Sequence, residues 1–256
     1  MREYFIKNIT NRNNLNQIIL ELDNLVDFYL NFKNKKSKSL SSIKKNLHKK
    51  MVTLAKKDRK LFGKFFDAAQ CIPSLHSLNS NLLKDIKKTF DFKLIQIGDY
   101  PRLRLDLPDN RNNDPWHQEA MNYDAPRDSI TLWLPLVKMY KSLGRLEIKR
   151  DSNKIGLLKY STHKTRPYFR VCKKSLSKLP SCKPYVPFGK FIVFNHAVPH
   201  RSTNNVSRKF VRISIQIRYN FLDNNVYNNA NYIPTTPRLV SRQEVSNFES
   251  KRSFKI

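Results

Sequence analysis

In the stretch PWHQEA a histidine and a glutamate stand one residue apart, His117 and Glu119. In an extended segment, residues two apart project to the same side, so this pair can reach a single metal ion. A third ligand must then come from elsewhere, and VFNHAVPHRS (193–202) offers His196 and His200. Two neutral imidazoles and one carboxylate on one side of a metal suit non-haem Fe(II), with positions left open for a co-substrate and oxygen. Further along, Arg212 and Ser214 stand two apart on an alternating run. A guanidinium beside a hydroxyl is a good receptor for a carboxylate. A lone His-x-Glu arises readily by chance in a chain with 6 His and 20 Asp and Glu. The ordered set His-x-Glu, His, Arg-x-Ser does not.

Strands must hold these groups. After Phe90 the chain changes to short apolar or alternating runs: KLIQIG (93–98), RLRLDL (102–107), SITLWLPL (129–136), RLEIKR (145–150), PYFRVC (167–172), KFIVFN (190–195) and KFVRISIQIRYN (209–220). Many strands without intervening helices predict an antiparallel sandwich or barrel. Alternation puts Arg212, Ser214, Gln216 and Arg218 on one face of the last run, against Val211, Ile213, Ile215 and Ile217. Thr131 and Trp133 share a face, as do Arg102, Arg104 and Asp106. These polar faces either meet solvent or turn inward to line a pocket.

The first 90 residues read as helical. Leu15, Ile18, Ile19, Leu22, Leu25, Val26 and Tyr29 have helical spacing over 13–32, KKSKSLSS reads as a basic linker, and a second helix is expected over 41–69. Pro73 is expected to interrupt it before a short helix over 79–90. The chain thus divides into an N-terminal helical region (1–90) packing on the core, a strand-rich core (91–222) and a C-terminal loop or tail (223–256). The fold class is α+β, mainly β.

Composition narrows the function. With 39% hydrophobic residues the 256-residue chain can bury a core. Five glycines and no GxGxxG or GxxxxGK[ST] argue against a nucleotide-binding loop. Three scattered cysteines without a CxxC argue against a disulfide framework or structural zinc and fit a reducing, cytoplasmic setting. Glu21, Asp23 and Asp27 break the first apolar run, so neither a signal peptide nor a membrane span is expected. The net charge of +29 raises nucleic acid as an anionic partner. Residues 61–120, however, balance bases with acids, among them Asp91, Asp99, Asp106, Asp109, Asp114 and Glu119, and an acid-rich strip suits a cation. Arg145, Lys149, Arg150 and Lys154 form a basic rim consistent with an anionic small molecule or with a solvated surface.

The region from about Lys93 to Asn220 resembles the phytanoyl-CoA dioxygenase family of Fe(II)/2-oxoglutarate oxygenases. The resemblance lies in PWHQE, SITLWLPL, GRLEIKRDSNKIGLL (144–158), PFGKFIVFNHAVPHRS (187–202) and VRISIQIRY (211–219), in family order. It implies a double-stranded β-helix (jelly-roll, cupin-like) core with His117, Glu119 and His200 as iron ligands. It further implies Arg212 on the distal carboxylate of 2-oxoglutarate, with Ser202 and Trp133 also contacting that co-substrate. The implied activity is a dioxygenase that uses molecular oxygen to hydroxylate a small molecule, releasing succinate and CO2. Two departures stand out: Glu119 occupies a place where the family mostly has aspartate, and KRDSNK replaces the usual glycine-serine-histidine turn. The alternatives are a jelly-roll binding protein using its basic surface on nucleic acid or another anion, and a cupin-like metal-dependent isomerase or hydrolase.

Overall fold

A computed structural model describes residues 4–32, 39–90, 95–97, 101–108, 114–122, 129–152, 155–162, 169–221 and 238–239. Half of the basic linker, Asp91, Asp99, Asp109, Lys154 and nearly all of the expected tail lie outside the described residues. The architecture is mixed, with helices packed on antiparallel sheet.

Four helices precede most of the strands: α1 (Asn13–Tyr29), α2 (Leu40–Lys57), α3 (Arg59–Ala69) and α4 (Pro73–Lys87). In α1 the buried stripe is Leu15, Ile18, Ile19, Leu22 and Val26. Asp23 and Asp27 are buried on the same helix, and Lys50 of α2 reaches both at 2.5 and 2.6 Å, so the charges that break the apolar run join α1 to α2. The single helix expected over 41–69 is two. Asp58 adopts an extended conformation between them, and its side chain accepts hydrogen bonds from the amides of Lys60 and Leu61, capping α3. Pro73 does not interrupt a helix but begins α4 at the first turn, where its missing N–H costs nothing, so that helix starts six residues before the expected 79.

The main sheet is ordered β1 (Tyr4–Asn8), β9 (Lys190–Asn195), β4 (Ile130–Pro135), β11 (Arg212–Phe221), β2 (Ile95–Ile97) and β12 (Arg238–Leu239), with β3 (Arg102–Asp106) also on β11. Strand β1 was not expected: it lies within the stretch read as helical, yet it pairs with β9 along its whole length. β12 likewise places two residues of the expected tail in the sheet. A second sheet runs β10 (His200–Ser202), β5 (Leu146–Lys149), β8 (Ser181–Cys182), and β6 (Tyr160–Thr162) pairs with β7 (Phe169–Val171). Two one-turn helices, α5 (Glu119–Asn122) and α6 (Lys173–Leu176), and a 3-10 turn at Lys141–Leu143 complete the described elements.

The main sheet has two unlike faces. Ile213, Ile215, Ile217 and Tyr219 of β11, Ile130, Leu132 and Leu134 of β4 and Phe191 and Val193 of β9 join one hydrophobic cluster with the apolar stripes of α1 to α4. Helix α2 also reaches the backbone beside the site, where the His48 ring hydrogen-bonds the Val211 carbonyl at 2.9 Å. The Gln70 amide bonds both the N–H and the carbonyl of Leu103 and so acts as a strand partner for β3. The opposite face carries the polar residues, and it is buried too.

Candidate metal and co-substrate site

Register fixes the inner face of the main sheet row by row. Gln216 stands opposite Trp133, which stands opposite Ile192; Arg218, Thr131 and Phe194 form the next row. On the other side of β11, Arg212 pairs with Asp106 and Ser214 with Arg104. Arg212, Ser214, Gln216, Arg218, Thr131 and Trp133 are all buried, so the alternating polar faces line an interior and meet little water.

His117 and His200 are brought together by backbone. Each donates its N–H to the other's carbonyl, at 3.1 and 3.0 Å, in an isolated antiparallel bridge. Their ring nitrogens are sorted by the same loops. His117 Nδ1 lies 2.7 Å from the Pro115 carbonyl and His200 Nδ1 lies 3.0 Å from the Val198 carbonyl. A carbonyl only accepts, so Nδ1 carries a hydrogen on both rings, and whenever a ring is neutral its Nε2 presents a lone pair. Those two nitrogens converge on Glu119 Oε1, at 3.7 Å from His117 and 3.3 Å from His200. His117, Glu119 and His200 form a group whose ligand atoms all lie within 4.8 Å of one another. Glu119 does not continue an extended segment from His117: it opens α5, and that turn carries its side chain toward β11.

The electrostatics suit a cation. Burial disfavours charge on Glu119, but Arg218 and the two imidazoles outweigh it and hold the carboxyl well below the usual range. Burial also opposes a charged His117, yet its contact with Glu119 leaves the pKa raised, whereas burial and the neighbouring His117 lower that of His200. Asp114 is lowered despite burial, chiefly by Arg104, which it meets at 2.5 Å. That ion pair ties the segment before His117 to β3.

His196, the other candidate for third ligand, is not part of the group. It is wholly buried, its backbone carbonyl accepts from Ala120 N–H, and among the described residues neither ring nitrogen makes a hydrogen bond of normal geometry. Burial pushes its pKa down to about 3.

Arg212 is 1% exposed and caged. Its Nε donates to Asp106 at 2.8 Å, and Nη1 donates to the carbonyls of Thr203 at 2.9 Å and Leu143 at 3.3 Å. Among the described residues Nη2 has no partner, and neither does Ser214 Oγ, two residues along the same face. A buried donor and hydroxyl left open together are what the far carboxylate of a dicarboxylic acid would satisfy. Gly144 makes the cage possible. Its φ is +72°, and an added Cβ would collide with the Thr203 carbonyl oxygen and lie 2.5 Å from that of Asn204. Asn205 fastens the same loop, donating to the carbonyls of Asp106 and Phe210 at 2.8 Å each.

Ser202 shares the His200 face of β10, and Trp133 is buried beside Gln216. Arg104 turns to Asp114 and Asp106 and is committed to ion pairs. Of the basic rim, Lys149 lies over Trp116 at 5.0 Å and Arg145 over Tyr185 at 5.1 Å, stacked on aromatic rings. Sequence reasoning missed Asp106, Gln216 and Arg218 as site residues. Alternation had put Gln216 and Arg218 on the Arg212 face, but only the fold brings Glu119 to them. Gln118, between the two ligands, was also missed. Its amide nitrogen donates to the carbonyls of Ala197 and Gly156, and its oxygen accepts from Leu158 N–H at 2.8 Å.

The donor set fits a divalent metal that prefers nitrogen and carboxylate ligands, and the open Arg212–Ser214 pair fits a carboxylate. Among known proteins, the family model for phytanoyl-CoA dioxygenase (PhyH) matches residues 27–214. No curated protein matches the chain. Solved structures of similar fold include the epimerase SnoN in complex with Fe3+, alpha ketoglutarate and nogalamycin RO. It has a TM-score of 0.50 and 11% identity, over 93% of this chain and 90% of that one. The non-heme monooxygenase ThoJ in its apo form has a TM-score of 0.51 and 14% identity, over 97% and 91% of the two chains. EvdO2 from Micromonospora carbonacea var. aurantiaca, complexed with 2-oxoglutarate, has a TM-score of 0.49 and 13% identity, over 86% of each.

Proposed function

This chain belongs to the phytanoyl-CoA dioxygenase (PhyH) family, and from that premise we propose that it is an Fe(II)- and 2-oxoglutarate-dependent dioxygenase with a jelly-roll core, hydroxylating a small-molecule substrate. The observation that carries this reading is a juxtaposition. Two oriented imidazoles and a carboxylate converge on one another beside the inner face, and an open guanidinium nitrogen and an open hydroxyl stand two residues apart on β11. A metal site alone would not need the second pair.

In this reading His117 and His200 hold iron through Nε2, and Glu119 through Oε1. Arg212 and Ser214 hold the far carboxylate of 2-oxoglutarate, fixing which end faces the metal. Trp133 walls the co-substrate, and Ser202 contacts it from the His200 side. The buried inner face keeps water from the reacting groups. When bound, iron and 2-oxoglutarate supply oxidative decarboxylation, in which one atom of O2 enters succinate, the other enters the substrate's C–H bond, and CO2 leaves.

The test is succinate release. Protein supplied with Fe(II), oxygen and labelled 2-oxoglutarate is expected to form labelled succinate, and chelation or Arg212→Met to stop it. A metal-dependent activity that forms no succinate would instead favour an isomerase or hydrolase on the same fold.

A further inference from the structure

Glu119 is held at both carboxylate oxygens by one strand. Oε1 accepts from Gln216 Nε2 at 2.8 Å, and Oε2 accepts from Arg218 Nε at 2.8 Å. The same Oε1 is the atom facing His200 Nε2 at 3.3 Å and His117 Nε2 at 3.7 Å. The carboxylate thus spans the interior, with Oε2 committed to β11 and Oε1 shared between β11 and the imidazoles. All three side chains are buried, so no water substitutes for either contact without entering the site.

We infer that Gln216 and Arg218 are positioning residues for Glu119, and that a glutamate side chain is the length this clamp requires, so that Glu119→Asp impairs the metal site. The inference rests on the metal-site reading above and extends it to two residues on β11.

The backbone supplies the reason that aspartate cannot adapt. On one side of Glu119, His117 is fixed by its two-way bridge to His200; on the other, Ala120 N–H donates to the His196 carbonyl at 3.2 Å. Chain on both sides is anchored, to β10 and to the turn after β9, so it does not follow a shortened side chain inward. A carboxylate one methylene shorter must give up either β11 or the imidazoles. The clamp has two further consequences. It removes most of the rotamer freedom that a glutamate would otherwise lose on binding metal. With Oε2 committed to Arg218, Oε1 is the oxygen that would be offered to a metal.

The experiment uses the full chain stripped of metal and titrated with Mn(II), free ion being read by electron paramagnetic resonance. Wild type is expected to bind one Mn(II). Glu119→Asp, Arg218→Met and Gln216→Leu are each expected to weaken binding, by about 10- to 100-fold for partners that orient a ligand. The spectrum of bound Mn(II) should also change, which a purely structural defect would not cause. Arg218→Lys keeps the charge but not the Nε contact, and it is expected to weaken binding in the same direction; it carries the test should Arg218→Met fail to fold. Because the length of Glu119 and the Arg218 contact act through one interaction, the double variant Glu119→Asp/Arg218→Met should bind little worse than the weaker single. Glu119→Asp that binds Mn(II) like wild type overturns this inference alone, as does a double variant whose losses add in full. Wild type that binds no Mn(II) overturns the metal-site reading and this inference with it.

Discussion

Gly144→Ala is expected to damage co-substrate binding although residue 144 carries no functional group. Gly144 has φ +72° and ψ 170°, a region that costs a residue with a side chain about 1–3 kcal/mol. The added methyl would collide with the carbonyl oxygens of Thr203 and Asn204, which are backbone atoms and cannot rotate away. Moving residues 203–204 takes the Thr203 carbonyl from Arg212 Nη1, a 2.9 Å bond to a charged donor worth about 1.5–3 kcal/mol. Part of that loss falls on folding and part on the guanidinium's aim. We expect stability in urea to fall by about 2–5 kcal/mol in total. The dissociation constant of 2-oxoglutarate, titrated calorimetrically into Mn(II)-loaded protein, should rise about tenfold or more, or 1.4 kcal/mol. Mn(II) affinity should change far less, because His200 is held by its pairing with Ile148 and its bridge to His117, and Glu119 by Gln216 and Arg218. Unaltered stability would refute the steric argument, and lowered stability with full 2-oxoglutarate affinity would refute the link from Gly144 through Thr203 to Arg212.

Other perturbations test separate parts of the structure. Gly63 lies within α3 with open space where a Cβ would be, so Gly63→Ala should stabilise the protein by about 0.5–1 kcal/mol in the same urea assay. Lys50→Met would leave Asp23 and Asp27 buried without their cation, with an expected loss of about 3–5 kcal/mol and a lower thermal midpoint. His196 has its pKa pushed down to about 3, so between the ordinary histidine value and that level only the unfolded chain takes up its proton. Its contribution is therefore neutral above about pH 6.5 and destabilising as pH falls below it, by about 1.4 kcal/mol per pH unit. His196→Asn should flatten the acid limb of a stability–pH profile by that slope, and an unchanged slope would count against a buried neutral imidazole.

The His117–Glu119–His200 group was legible in the sequence because its residue types are scarce and their order is specific. His117, Glu119 and His200 do converge. The alternation in β11 and β4 correctly put Arg212, Ser214 and Trp133 on shared faces, since period-two patterning survives whether a face is wet or dry. That same indifference hid the burial of Gln216 and Arg218: an alternating strand looks alike with its polar side in water or in a site. Asp106 was hidden for another reason, because its partner Arg212 lies on a strand far along the chain. The single helix expected over 41–69 failed at Asp58, where a cap made by a side chain outweighed continuous periodicity. β1 was missed because YFIKN is too short to announce itself and is stabilised by pairing with β9. The +29 charge carried little site information: cations such as Lys149 and Arg145 rest on aromatic rings, and Lys50 neutralises buried acids. Among the described residues, no helix is long and apolar enough to cross a membrane.

Anaerobic addition of Fe(II) and 2-oxoglutarate to the metal-free protein, followed by visible absorption, tests the central claim most directly. One equivalent of iron should give a charge-transfer band only when 2-oxoglutarate is present, and His117→Ala or His200→Ala should abolish it. No band with wild type, or a band that survives both substitutions, would contradict the assignment of His117, Glu119 and His200 as the iron site.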